Sequence, residues 1–277
     1  MSKYALLGYP LGHTMSPPIH RRLFELDGKP DAEYEVCETP PEKLAERAEY
    51  LNSLNGYNIT IPYKVDIIKR LDGLDESAKR YNSVNCVVNR GGRNIGFNTD
   101  CSGFLRSLEA GGASLGGRVL QIGCGGVGRM MAIEAALHGA DLTIVALPEF
   151  IAGAKEAAEE AVRLNPKAKI SVVTHGEIQG EFDLLMNASP VGMYPNTDNC
   201  PVSENVVKSC KFVFEVIYNP NVTKLMSIAE KNGIPAVGGM AMLVWQAAVA
   251  HEIWNGASYR DEDVEKIIAE MKAELTK

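Results

Sequence analysis

The stretch Val-Leu-Gln-Ile-Gly-Cys-Gly-Gly-Val-Gly-Arg-Met-Met-Ala, residues 119–132, decides the fold. A short strand-like run enters Gly123, Gly125, Gly126 and Gly128, and a helix-forming run follows. Glycines let the backbone turn sharply and leave the helix N-terminus bare, where a phosphate can approach the N–H groups. A G-x-G-x-x-G match is weak alone. Between a strand and a helix it predicts a dinucleotide-binding turn built from Gly123, Gly125, Gly126, Val127 and Gly128. No Gly-Lys-Ser/Thr follows, which excludes a Walker-type phosphate loop.

Outward from this turn the chain alternates regularly. RVLQIG, DLTIVAL, KISVVTH, FDLLMNAS and KFVFEVIY read as strands, and VGRMMAIEAALHG, FIAGAKEAAEEAVRLN and VTKLMSIAEKNG as helices. Strands alternating with helices predict parallel βαβ units. The fold class is therefore α/β with two domains, one a Rossmann-like doubly wound parallel sheet over roughly 102–238. Residues 1–101 read as a second α/β unit. In it KYALLG is a strand, and SPPIHRRLFELDG is a helix with Ser16 as N-cap and Ile19, Leu23 and Leu26 inward. PPEKLAERAEYLNSLN is a helix, GYNITIP a strand, and VNCVVNRGGRNIGFN a hairpin turning at Gly91-Gly92. Two C-terminal helices, one strongly apolar and one amphipathic on Val264, Ile267, Ile268 and Met271, would complete this first domain as residues 239–277.

Composition narrows the function. The chain has 277 residues and a net charge of −7. That balance argues against a nucleic-acid partner or an anionic membrane surface, while leaving room for a small carboxylate substrate held locally. Six cysteines are spread without a CxxC pair or zinc-ligand spacing, so neither a disulfide nor a metal site is expected. No apolar run reaches membrane-span length, and the N-terminus lacks a signal-peptide core. The expectation is a cytoplasmic protein, a monomer or a homodimer.

Asn58, Thr60 and Lys64 stand at the end of the strand NITIPYK, with Asn58 and Thr60 on one face. Lys64 alone reads as a surface charge, Asn85 as a strand-end hydrogen-bonding group, Asp100 as a helix cap, and Gln246 as a polar position on an apolar helix. Together with GYPLGHTMSPPIH, SVNC…GFNTD, GCGGVGR, NASPVGMYP, VIYNPNVTKL and GGMAMLVWQAA, the chain resembles the shikimate dehydrogenase family, including its quinate-using relatives, over nearly its full length.

The resemblance implies a reversible, nicotinamide-dependent oxidation of a ring hydroxyl of shikimate or quinate, in aromatic biosynthesis or quinate breakdown. It implies Lys64 as the catalytic acid–base with Asp100 beside it. Thr14 and Ser16 would hold the substrate carboxylate, and Thr60, Asn85, Asp100 and Gln246 its ring hydroxyls. Tyr218 would lie near the substrate, and Gly239 and Met242 by the nicotinamide. A protonated lysine suits the ketone-reducing direction, because negative charge builds on the ketone oxygen. Alcohol oxidation needs the same lysine to take a proton and so should improve with rising pH.

The chain also departs from the family pattern. Thr14 stands where serine is usual, and Asn82 and Cys86 flank the SVN segment. Glu215 replaces an aspartate and Ala241 a glycine. Most consequential, the usual Asn-Arg-Thr after the second Rossmann strand is Ala146-Leu147-Pro148. An acid near that strand end favours NAD and an arginine favours NADP. With Leu147 in the arginine position and Glu149 just beyond, the expected cofactor is NAD, with NADP possible. The alternatives are a metabolite or dinucleotide sensor without turnover, and an aminoshikimate-type specialised dehydrogenase.

Overall fold

A computed structural model describes residues 2–12 and 14–276 of the chain. It divides into two compact units: residues 1–103 with 244–271, and residues 104–243 with 272–277.

The first unit contains β1 (Lys3–Gly8), α1 (Ser16–Leu26), β2 (Glu33–Glu38), α2 (Ala48–Ser53), β3 (Gly56–Ile59), β4 (Gly73–Leu74), α3 (Glu76–Tyr81), β5 (Cys86–Arg90) and β6 (Arg93–Phe97). The helix α4 (Thr99–Ala110) begins here. The strands form one mixed sheet in the order β2-β1-β3-β5-β6-β4. β1 pairs parallel with both β2 and β3, whereas β5 runs antiparallel to β3 and β6. The β5–β6 hairpin turns at Gly91 and Gly92, whose φ of 62° and 82° is the left-handed pair that a two-residue turn of this hand requires. Leu7, Leu51, Leu54, Tyr57, Ile59 and Ile67 fill its core. Asp75 caps α3, accepting from the Ser77 N–H at 2.8 Å.

Some local readings change. The segment expected to be one helix from Pro40 to Asn55 is two 3₁₀ turns, Pro41–Lys43 and Ala45–Arg47, followed by the six-residue α2. Leu44 and Leu51 anchor it, while most of the intervening side chains are exposed, so packing holds only its ends. Leu26 is 45% exposed, and the buried face of α1 is Ile19, His20, Leu23 and Phe24. Ser16 is the first helical residue; the N-cap is Met15, which has no capping side chain.

The second unit contains β7 (Arg118–Ile122), α5 (Gly126–Leu137), β8 (Asp141–Val145), α6 (Ile151–Leu164), β9 (Lys169–Val173), β10 (Leu184–Asn187), α7 (Glu204–Lys208), β11 (Val213–Glu215), α8 (Lys224–Lys231) and β12 (Ala236–Val237). Its sheet is wholly parallel, in the order β12-β11-β10-β7-β8-β9. Buried runs such as Val119–Ile122 and Leu184–Asn187 suit strands covered on both faces. The chain winds one way from β7 through β9 and the other way from β10 through β12. The order therefore reverses between β7 and β10, the point where open α/β sheets bind ligands at their carboxyl ends. This is the expected α/β architecture with a Rossmann-like parallel sheet.

Two last helices follow, α9 (Gly239–Asn255) and α10 (Asp261–Leu275). From Val244 on, α9 belongs to the first unit, as does α10 up to Met271. No helix among the described residues is long and apolar enough to cross a membrane.

Candidate active site

In the first unit, polar residues from four elements converge. β3 continues through Thr60 and a turn to Lys64, where the Tyr63 N–H donates to the Thr60 carbonyl at 3.0 Å. That turn delivers Lys64 Nζ to Asp100 Oδ2 at 2.7 Å, with the two side chains 25% and 17% exposed. Asp100 lies in the first turn of α4, where the helix dipole favours an acid. Its other oxygen accepts from Asn85 Nδ2 at 2.9 Å. Asn85 is in turn fixed from both sides. Its side-chain Oδ1 accepts the Thr99 N–H at 2.6 Å, and its Nδ2 is 3.3 Å from Gln246 Oε1. Thr99 Oγ1 donates to the same Gln246 oxygen at 3.3 Å.

Gln246 is 8% exposed on α9, so it is not on a solvated side of that helix. An otherwise apolar helix brings one amide into a polar cluster, where burial without partners would be costly. Thr60, Lys64, Asn85, Asp100 and Gln246 thus lie in one unit, the last four in one hydrogen-bonded cluster. A half-buried ammonium held by a carboxylate can stabilise and protonate a developing oxyanion, and can return the proton.

Thr14 and Ser16 sit at the start of α1. The Ser16 N–H donates to Thr14 Oγ1 at 3.2 Å, and the Ile19 N–H to the Met15 carbonyl at 3.2 Å. Pro17 and Pro18 have no N–H. Of residues 16–19, the two that carry an N–H, Ser16 and Ile19, both have it engaged. Two residues absent from the expected site also belong to this region. Asn58, 4% exposed on β3, accepts from the Tyr34 hydroxyl at 2.9 Å and donates to the Asn85 carbonyl at 3.3 Å. The only sequence sign of Asn58 was its place on the face of Thr60; Tyr34 gave none.

In the second unit the glycine turn follows β7 as expected. Gly123 has a φ of +84°, and a Cβ there would stand 3.1 Å from Ser189 Cβ. A Cβ at Gly128 would stand 2.8 Å from the Gly123 carbonyl. These two glycines close the turn. At Gly125 and Gly126 a Cβ would meet nothing within 4 Å, so the outer surface of the turn is open. Gln121 Nε2 fixes the turn from below, donating to the Gly123 and Gly128 carbonyls at 2.9 Å each. An open surface at a helix N-terminus beside the sheet's switch point fits the pyrophosphate of a dinucleotide. Val127 is the next residue of that turn and is partly exposed.

Beyond the turn lies a concavity of about 600 Å³ whose lining includes Gly125, Gly126, Arg129, Glu156 and Glu160. Arg129 makes a two-pronged pair with Glu160 across α5 and α6, its Nε 2.5 Å from Glu160 Oε2. After β8, Leu147 is 46% exposed, and Glu149 is exposed in the turn Pro148–Phe150. Tyr218, Gly239 and Met242 also belong to this unit, not to that of the Lys64 cluster. Burial raises the Tyr218 phenol above its ordinary range. Gly239 opens α9, its missing Cβ leaving room for the Val216 carbonyl. Met242 is 7% exposed.

Glu215 is fully buried at the end of β11. It accepts from Asn187 at 2.9 Å, the Ile217 N–H at 3.1 Å and the Thr223 hydroxyl at 2.9 Å, and burial pushes its carboxyl up to about 7. It joins the segments after β10 and β11.

A mixed α/β unit followed by a parallel-sheet unit with a glycine turn defines a dehydrogenase-type architecture. The family model of the shikimate dehydrogenase substrate binding domain matches residues 6–87. The shikimate dehydrogenase (NADP(+)) of Caldanaerobacter subterraneus subsp. tengcongensis is 35% identical over 274 residues, covering 97% of each chain. The Thermus thermophilus shikimate 5-dehydrogenase, solved with NADP(H) and shikimate, superposes with a TM-score of 0.86 at 30% identity, covering 98% of this chain and 100% of that one. The Listeria monocytogenes enzyme, solved with shikimate and NAD, superposes with a TM-score of 0.86 at 28% identity, covering 97% and 96%. The chain belongs to the shikimate dehydrogenase family.

Proposed function

We propose that the protein catalyses reversible, nicotinamide-dependent oxidation of a ring hydroxyl of shikimate. The observation that carries this is the 2.7 Å Lys64–Asp100 pair, tied through Asn85 to buried Gln246, in a chain of this family. When bound, the dinucleotide supplies the hydride acceptor or donor. In ketone reduction the Lys64 ammonium donates to the ketone oxygen, stabilises charge as it develops there, and passes on the proton. In alcohol oxidation the neutral amine takes the hydroxyl proton. Asp100 aims Nζ, and Asn85 holds Asp100. Thr60, Asn85, Asp100 and Gln246 select the ring hydroxyls. Thr14 and Ser16 receive the carboxylate through their hydroxyls.

Gly123, Gly125, Gly126, Val127 and Gly128 hold the pyrophosphate, with Gly239 and Met242 at the nicotinamide. NAD is accepted, and favoured over NADP. Three features support this: the apolar Leu147 after β8, the exposed Glu149 beside it, and the engagement of Arg129 by Glu160. The NADP(+) in the name of the tengcongensis relative points the other way, while the Listeria structure contains NAD. The intact Lys64–Asp100 pair favours turnover over a sensor. One experiment tests the reading: kcat/KM for shikimate and for quinate, each with NAD and NADP. Shikimate turnover with NAD ahead of NADP is expected. No turnover in any combination rejects the enzyme, and a tenfold NADP advantage rejects the cofactor assignment.

A further inference from the structure

β7 carries one side chain that its place in the sheet does not call for. Val119, Leu120, Gln121 and Ile122 are all buried, and a strand covered on both faces is ordinarily apolar throughout. Leu120 and Ile122 belong to the hydrophobic cluster with Leu185, Val213 and Leu225. Alternation along the strand turns Gln121 to the opposite face. There it is 0% exposed, and taking an amide out of water is costly unless hydrogen bonds replace those it gives up.

The bonds Gln121 makes go to the glycine turn. Its Nε2 donates at 2.9 Å to the carbonyl of Gly123, where the turn begins, and at 2.9 Å to that of Gly128, in the first turn of α5. Both partners are acceptors, so the nitrogen must face them and Oε1 must point away. Oε1 has no hydrogen-bond partner among the described residues. The amide is thus half satisfied, and the satisfied half spans the turn from its first glycine to its last. Backbone bonds fix where the turn leaves the sheet: the Gly123 N–H donates to the Val145 carbonyl, and the Ala188 N–H to the Ile122 carbonyl, each at 2.9 Å. Gln121 sets how far the start of α5 stands from that point. Gly125 and Gly126, open to the outside, lie between the two carbonyls it holds.

We propose that Gln121 is a positioning residue for the dinucleotide, holding the glycine turn at the span that presents its backbone N–H groups to the pyrophosphate. The proposal rests on the reading of Gly123–Gly128 as the pyrophosphate site. Gln121 is enclosed beneath the turn and reaches the ligand only through the backbone, so it acts on dinucleotide affinity and not on the chemical step. NAD and NADP share the pyrophosphate, so Gln121 serves both alike and takes no part in the choice made beyond β8.

Gln121→Met keeps the length of the side chain and removes the donors and the unpartnered acceptor together. The thermal midpoint should therefore stay within a few degrees of wild type. The Kd for NAD and for ADP, measured by calorimetry, should rise about tenfold, and that for NADP by the same factor. At saturating dinucleotide kcat should stay within about twofold, and the Kd for shikimate should not change. Gln121→Leu, which also lacks a donor, should repeat the pattern. Unchanged affinity for NAD and ADP in Gln121→Met overturns the proposal. So does a loss of affinity that accompanies a lowered thermal midpoint in both variants, which marks the amide as a prop of the fold, and so does a penalty for NAD that NADP escapes. In each of these cases a wild type that binds NAD and ADP leaves the reading of the glycine turn standing. A wild type that binds neither dinucleotide overturns both.

Discussion

The two candidate regions of this chain solve different problems with different parts of the polypeptide. The Lys64 cluster is made of side chains from segments far apart in sequence, each satisfied by another. The glycine turn is made of backbone, shaped by what its residues lack. A side-chain site makes chemistry specific to a few atoms, so removing one atom group removes a function. A backbone site recognises a group common to many ligands, and its discrimination must come from whatever surrounds it. The difference predicts that substitutions in the first region strike kcat, and that those in the second strike cofactor affinity or choice.

The largest effect expected is at Lys64. Lys64→Ala should lower kcat about a hundredfold or more while KM for shikimate changes little, because the ammonium acts on charge that exists only in the transition state. Steady-state kinetics in both directions check this. A variant with near-normal kcat would remove the lysine from the mechanism and leave the two regions alike.

Gly128→Ala tests the backbone side. The new Cβ would lie 2.8 Å from the Gly123 carbonyl and 3.3 Å from Gln121 Nε2, so the turn must shift off its support. Overpacking of this kind costs about 1–3 kcal/mol. KM for the dinucleotide should rise about tenfold or more, with kcat at saturation and the shikimate Kd nearly kept. A loss confined to kcat would break the comparison.

Glu215 is a side chain that serves the backbone side, and it carries a pH signature. Its folded carboxyl titrates at about 7, above the ordinary 4.5. Between those values the folded state holds a proton that the unfolded state has released, so this group lowers stability as pH rises from 4.5 to 7, by up to about 3 kcal/mol. Glu215→Gln keeps an acceptor for Asn187 and the Ile217 N–H and cannot ionise. Its stability relative to wild type should climb across that window, as read by denaturant melts at pH 5 and pH 8. Parallel curves would show that the carboxyl titrates normally.

How much of this was legible from sequence follows from distance along the chain. The glycine turn and the parallel strands announce themselves locally, because Gly spacing and apolar runs are read within a dozen residues. The Lys64 cluster was legible only through the joint pattern of motifs, since Lys64 and Asp100 are 36 residues apart and Asn85 and Gln246 are 161 apart. Gln246 could not be placed by periodicity, because α9 is apolar nearly all round and shows no preferred face. Ser before Pro-Pro satisfies the usual capping signal at Ser16; the helix instead begins one residue earlier, with the Thr14 hydroxyl on the Ser16 N–H. Tyr34 gave no signal, and Glu215 showed only as a departure from the family pattern. Each sits in a strand, and the partners of both come from other segments of the fold.

The smallest expected effect is the one that most sharpens the comparison: cofactor choice at the rim of the glycine turn. A 2′-phosphate needs a cation, and the residue after β8 that would supply one is Leu147, 46% exposed. Arg129 is a turn along α5 from the glycines but engages Glu160, with Glu156 lining the same concavity. A 2′-phosphate would have to compete with a carboxylate already in place, whereas the two ribose hydroxyls of NAD can donate to an acid such as Glu149. Glu149→Ala should therefore reduce the NAD-over-NADP ratio of kcat/KM several-fold, chiefly through KM for NAD. Glu160→Gln should reduce it from the other side by improving NADP. Binding of 2′,5′-ADP against ADP, measured by calorimetry without turnover, separates these routes: Glu160→Gln should tighten only the first, and Glu149→Ala should weaken the second. If neither variant moves either ratio, discrimination does not reside at this rim, and the backbone turn accepts both cofactors on the pyrophosphate alone.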